Sequence, residues 1–430
     1  GPSAEVPYQR EVVEFVKTRI GEERKQLAML LFVIMRDYQL NSGELLAVVA
    51  WLRSASVSDA ATLRLAAGLL VALGTDEGSE QAEAAALDKV SHLVRDSAFL
   101  VRLNAAIVDE PWCDSGLKGV VWLQWALLAL FGMKRSPGFD QLIGFREDRV
   151  EAIAEQAVRM GAYRCAADYL LGHRIDDAME YELADEFTAL QQQRADTASA
   201  VSPRYPHFDD VSEELQWQLE RSMEAMLAAF IGRMSSLVRR MRYSEEDALY
   251  QAQQSAVYQT TQAEPARRDT EALFAWVTVL YTGRADAALR FWGHGEPDDR
   301  LAVFVRWGAD CREQGMVRAY FGMLAALASG AQASVCAHEF MSGGGAGGHR
   351  QTVNQAPLCS WQALFGALDF YAGHLRPGEP DPLAAPPPEI PDAEVALLRA
   401  FLRLCRSVVQ HSVVARTAIY DSTELGAMTT

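Results

Sequence analysis

The chain of 430 residues is 50% hydrophobic and 23% charged, the balance of a folded globular protein, and its length allows roughly two to four domains of ~100–200 residues each. Aspartate and glutamate number 57 against 40 lysines and arginines, a formal charge of -17. A field of that sign repels a phosphate backbone, which excludes nucleic acid as an expected partner.

Gly1, Pro2 and Ser3 read as the remnant of an engineered protease site, and the chain stops after "ARTAIYDSTELGAMTT" without a closing helix pattern. A fragment of a longer protein is expected. From residue 4 onward apolar residues recur three and four apart, the period of an amphipathic helix, while strand-like alternation is nearly absent. "EVVEFVKTRI" and "RKQLAMLLFVIMRDYQ" come first, then "SGELLAVVAWLRSA", where Ser42 is the expected N-cap, and "ATLRLAAGLLVALG", where Gly74 closes the segment ending at Leu73. "LVRDSAFLVRLNAAIV" precedes "LKGVVWLQWALLALFG". The run Gly119 to Gly132 is nearly apolar but is interrupted by Gln124, and it is too short to cross ~30 Å of hydrocarbon at ~1.5 Å per residue. It reads as a buried core helix, with no direct membrane insertion and no signal peptide ahead of it.

"RVEAIAEQAVRMGAYRCAADYLLG" follows, and in the second half Gly283 closes a helix ending at Thr282. Composition shifts at residues 191–210, at the glycine-rich 341–357 and at the proline-rich 376–392. The helical pattern resumes after each, so these are expected as loops inserted into one continuous segment, residues 4–430, without a fixed-period repeat. Cys113, Cys165, Cys311, Cys336, Cys359 and Cys405 stand far apart with no C-x-x-C pair, as suits thiols in a reducing compartment.

No chemistry emerges from the motifs. The glycine run 343–348 is followed by His349 and Arg350, where a phosphate loop needs Lys and Ser or Thr after a strand; it reads as a loop. Cys336, His338 and Glu339 in "VCAHEF" approach a metal-ligand cluster but lack a second histidine four residues on. No G-x-S-x-G elbow is present, and no cysteine has a recognisable histidine partner. The basic stretches "VRRMRY" (238–243) and "ARRDT" (266–270) read as solvated faces or helix ends near the negative pole of the macrodipole. Catalytic, cofactor-binding and metal-ligating residues are therefore all read as none, and no partner groove is assigned.

In the C-terminal half Trp276, Trp292, Trp307 and Trp361 lie densely with Phe274, Phe291, Phe304 and Phe365. Most are expected as core anchors, with one or two left over to line a partner groove. In "CSWQALFGALDFYAGHL" the residues Trp361, Leu364, Phe365, Leu368, Ala372 and Leu375 form one helical stripe, expected to be a structural rib.

Taken in order, "DTEALFAWVTVLYTGRADAALRFW" (269–292), "RLAVFVRWGAD" leading into "MVRAYFGMLAALASGAQASVCAHEFM" (300–341), "CSWQALFGALDFYAGHL" (359–375) and "AEVALLRAFLRLCRSVVQHSVVARTAIYD" (393–421) resemble the giant α-helical scaffold nucleoporins of the nuclear pore's inner ring. The N-terminal "REVVEFVKTRIGEERKQLAMLLFVIMRD" (10–37) is similar too, and the larger inner-ring member, in its N-terminal region, is the nearest type. The resemblance implies an all-α fold, an irregular right-handed α-solenoid of HEAT- and armadillo-like helical pairs with superhelical form. It also implies a structural, non-enzymatic role at the nuclear envelope in the transport of protein and mRNA. Linker and membrane-adaptor nucleoporins are the implied partners, held through short linear segments, with no cofactor. Phe131-Gly132, Phe321-Gly322 and Phe365-Gly366 lie in apolar helices and are not disordered Phe-Gly repeats. The alternatives are a trafficking coat component, a transport-receptor-like carrier, or an all-helical enzyme with a deep pocket of converging His, Asp or Glu.

Overall fold

The computed structural model of the protein describes residues 6–55, 59–76, 80–144, 146–172, 213–257, 267–293, 300–342, 359–375 and 390–427. Among these residues every regular element is a helix. The loop expected at 191–210 lies outside them, as do most of those at 341–357 and 376–392. Within the stretch read as one continuous segment, the packing forms two compact units: residues 1–182 with 194–237, and residues 183–193 with 238–430.

The first unit contains α1 (Val6–Asp37), α2 (Ser42–Ser54), α3 (Ala60–Ala72), α4 (Glu80–Arg95), α5 (Ser97–Asn104) with a π turn at Ala105–Asp109, α6 (Ser115–Arg135), α7 (Phe139–Ile143), α8 (Glu147–Arg159), α9 (Ala162–Gly172) and α10 (Glu213–Arg233). Its axis is α6, apolar on all sides and therefore packed on all sides, against α3, α4, α8, α9 and α10 among others. Two glycines permit the closest approaches. A Cβ on Gly119 would stand 2.7 Å from the Ala157 carbonyl of α8, and one on Gly132 would stand 2.8 Å from the Phe139 ring. The full helix has 21 residues, longer than the apolar run that the sequence suggested, so length does not separate it from a membrane span. Burial does: 83% of its most apolar stretch lies inside the protein.

Helix ends are closed by neighbouring side chains. Asn41, not Ser42, caps α2: its side chain accepts from Glu44 N at 3.0 Å while Glu44 Oε2 accepts from Asn41 N, a reciprocal capping box, and Ser42 becomes the first helical residue. The glutamate three residues on selects the asparagine over the adjacent serine. At the end of α3, Leu73 N donates to Leu69 O and Gly74 N to Val71 O. Side chains complete the end: Lys89 Nζ of α4 donates to Gly74 O at 3.0 Å and adds a further bond to Val71 O at 2.8 Å, and Gln124 Nε2 of α6 donates to Leu73 O at 3.1 Å. The residue that interrupts the apolar run thus closes the neighbouring helix.

The second unit holds α11 (Ser235–Val257, from Val238), α12 (Asp269–Tyr281), α13 (Ala285–Phe291), α14 (Arg300–Gly308), α15 (Gln314–Leu327), α16 (Ala331–Met341), α17 (Trp361–Leu375), α18 (Asp392–His411) and α19 (Val413–Ala427). Here α15 packs between α12 and α18, while α16 packs on α13 and α18. α12 is buried from Thr270 to Tyr281 and ends before Gly283, whose φ of 74° is the left-handed turn that glycine adopts without strain.

Two carboxylates lie buried where α11, α12 and α15 meet. Glu245 Oε2 accepts from Thr270 N at 2.9 Å, closing the first turn of α12 from a different helix. Glu271, only 1% exposed, pairs with Arg268 at 3.0 Å and faces Arg318 at 4.0 Å. Burial, with Asp269 and Glu271 close by, pushes the Glu245 carboxyl up to about 8 against its bond to Thr270. Since the folded pKa lies above the unfolded one, the unfolded chain binds fewer protons across this window and stability falls as pH rises from the ordinary carboxylate range to about 8. Denaturation midpoints followed from pH 5 to 9 should show that decline in the wild type and a flatter profile in Glu245→Gln, which keeps an acceptor for Thr270; parallel profiles would refute it. Separately, Lys89→Met strands the Gly74 carbonyl and should cost ~1–3 kcal/mol in urea unfolding.

Candidate functional site

The aromatic residues of the second unit form connected packing. Phe274, fully buried, meets Tyr320 at 5.6 Å, Phe304 at 6.0 Å and Trp307 at 6.1 Å between ring centroids. Tyr320 Oη donates to Val305 O at 2.9 Å, near the end of α14. Its ring also fills the space beside Gly308, where a Cβ would stand 2.6 Å away. Trp276 and Phe291 are buried, and Trp292 and Trp307 are half-buried. Trp292 Nε1 donates to Leu327 O at the end of α15, at 2.9 Å.

The stripe on α17 joins this network at one end. Trp361, 7% exposed, stacks on Phe365 at 5.8 Å, and Phe365 meets the edge of Phe401 of α18 at 6.3 Å. Phe401 continues to Phe321 of α15 at 6.0 Å. Leu364, Phe365 and Leu368 are half-buried, while the side chains of Ala372 and Leu375 lie outside the described ones. The rib is therefore anchored by Trp361 and covered only partly beyond it. Of the Phe-Gly pairs, Phe131 and Phe321 are buried in α6 and α15 and Phe365 is half-buried in α17.

The near-cluster in "VCAHEF" is occupied by packing. Trp361 Nε1 donates to His338 Nδ1 at 3.1 Å, which holds that nitrogen as an acceptor, and burial lowers the imidazole pKa. Burial likewise raises the Cys336 thiol. Among the described residues no three His, Cys, Asp or Glu side chains converge as a metal site would require. Burial pushes the thiols of Cys311, Cys359 and Cys405 to about 12, leaving them protonated and poor nucleophiles at neutral pH.

Of the two readings of the basic stretches, the solvated face fits Arg239, Arg240 and Arg267, which are exposed, whereas "VRRMRY" lies in the first half of α11 and "ARRDT" leads into α12, so neither sits at a helix C-terminus. Arg242 is buried, its guanidinium 4.9 Å from the Trp307 ring centre and its Nη1 donating to Trp307 O at 2.6 Å. Arg267 and Arg268 pair with Asp269 and Glu271, the acidic first turn of α12. Local carboxylates hold these cations where the helix dipole alone would disfavour them.

What lies outside differs from what the sequence singled out. Trp217 of α10 is 51% exposed, with the Arg221 guanidinium 5.8 Å from its ring centre. Its signal was present: Leu215, Leu219 and Met223 mark the buried face at four-residue spacing, and Trp217 falls midway between the first two, on the opposite side. Val12, Phe15, Ile20 and Leu27 of α1 are also exposed, as are Val413, Val414 and Tyr420 of α19.

The family described as the nuclear pore complex scaffold, nucleoporins 186/192/205, matches residues 6–429. The chain belongs to this nucleoporin family. Nucleoporin NUP192 of Chaetomium thermophilum is 26% identical over 278 residues, which is 60% of this chain and 14% of that relative. The match thus covers a small part of the relative's length. Membership accounts for the all-α fold, places the protein at the nuclear pore complex of the nuclear envelope, and sets it in a structural scaffold class. For this nucleoporin the aromatic network is the mechanical interior of a scaffold. Trp361→Ala should cost ~3–5 kcal/mol in chemical denaturation, the range for a buried large aromatic, and an unchanged midpoint would remove Trp361 from the interior.

Proposed function

We propose that this nucleoporin segment is a structural scaffold of the inner ring that binds short linear segments of linker and membrane-adaptor nucleoporins. The observation that carries the reading is Trp217, a large aromatic held half out of a packed helix beside Arg221. Exposed Trp and Arg are the residue types that dominate binding energy at protein interfaces, because a broad ring desolvates much area at small entropic cost. Family membership supports the scaffold part, and the implied partners supply the extended segments such an anchor would hold.

Calorimetric titration with peptides from linker and membrane-adaptor nucleoporins tests the reading. Binding at micromolar affinity or tighter is expected, with Trp217→Ala weakening it by more than ~2 kcal/mol while changing folding stability by less than ~0.5 kcal/mol. A folded chain that takes up none of these peptides would reject the proposal.

A further inference from the structure

The first half of α1 is an unpartnered face of unusual regularity. Residues 11–20 are all exposed, whereas Ala28, Phe32 and Met35 in the second half are buried and α1 packs on α3. A Cβ on Gly68 of α3 would stand 2.2 Å from Met35 Cε, which places that contact. Val13, Val16, Ile20 and Leu27 are 50%, 46%, 52% and 61% exposed and are spaced three, four and seven apart. That is the seam spacing of a two-helix coiled coil, and it lies on a different side of α1 from the residues that meet α3.

The borders of the seam are basic. Arg19 lies along one edge, Lys17 and Arg24 along the other, at 71%, 67% and 51% side-chain exposure. They make ion pairs with Glu23, Glu14 and Asp59 respectively, exposed pairs that hold such side chains only weakly. A second copy is a poor occupant: parallel pairing sets Arg19 against Arg24 of the copy, and antiparallel pairing sets Lys17 and Arg24 against their own kind. An anionic bilayer is poor as well, because Glu23 falls within the seam and the chain carries -17.

We propose that the seam Val13, Val16, Ile20 and Leu27 receives an amphipathic helix from another polypeptide, with acidic residues along both edges and a basic residue opposite Glu23. The inference deepens the scaffold reading and rests on it for a protein partner, but it uses a surface separate from Trp217.

The probes are two fluorescein-labelled synthetic helices of three heptads, with leucine at the seam except one lysine opposite Glu23 and either glutamate or lysine along the edges, titrated by anisotropy into the full chain. The glutamate-edged helix should bind about tenfold or more tightly than the lysine-edged one, and Val16→Ser with Ile20→Ser should weaken it about tenfold. Far-ultraviolet circular dichroism should not change, since both positions are exposed. Equal affinities, no binding of either helix, preferential partition onto phosphatidylserine vesicles, or a concentration-dependent dimer abolished by the double substitution would each overturn the proposal. Nucleoporin-peptide binding at Trp217 persisting in the double variant would show that such a failure lies with the seam and not with the scaffold reading.

Discussion

A buried helix end leaves carbonyls without an intrahelical partner, and at several described helix ends side chains from neighbouring helices reach them. In the first unit Lys89 and Gln124 close α3, and the Trp122 indole donates to Ile107 O in the π turn at 2.7 Å. In the second, Arg242 and Tyr320 reach the end of α14, and Trp292 and Ser407 reach the end of α15. An unmet buried carbonyl costs more than a made bond returns, so these contacts select one register of packing from several that would bury similar area.

The same demand accounts for several polar groups inside the helices. Glu245 closes the start of α12, His338 receives the Trp361 indole, and Arg242 covers Trp307 while bonding its carbonyl. Among the described residues, Lys89, Glu245, Tyr320 and His338 each have a shifted pKa and a structural hydrogen bond. Interior polarity here sets geometry, and the proposed binding surfaces are what the packing leaves outside: Trp217 on α10 and the first half of α1.

Much of this was legible in the residues. Period and composition identified the helices; Gly283 stood where its left-handed turn is needed; Trp276 and Trp361 were buried as large apolar anchors; and the ordered stretches from 269 to 421 carried the family resemblance. Errors arose where two local signals competed. Asn41 and Ser42 are both good caps, and only the reciprocal bond with Glu44 distinguishes them. The basic stretches present Arg239, Arg240 and Arg267 to solvent as a solvated face would, but the burial of Arg242 against the Trp307 carbonyl depends on packing.

The sequence by itself determined the helical fold, the absence of a recognisable reactive motif and the family, since each follows from residue type, spacing and order along one chain. Tertiary structure alone decided which apolar faces are covered and which are left outward. Periodicity marks an apolar face without saying what covers it. The faces of α1 and α6 are both apolar, yet α6 is enclosed by five neighbours or more while the first ten described side chains of α1 meet none. That difference lies in contacts between residues far apart in the chain, which local spacing does not encode.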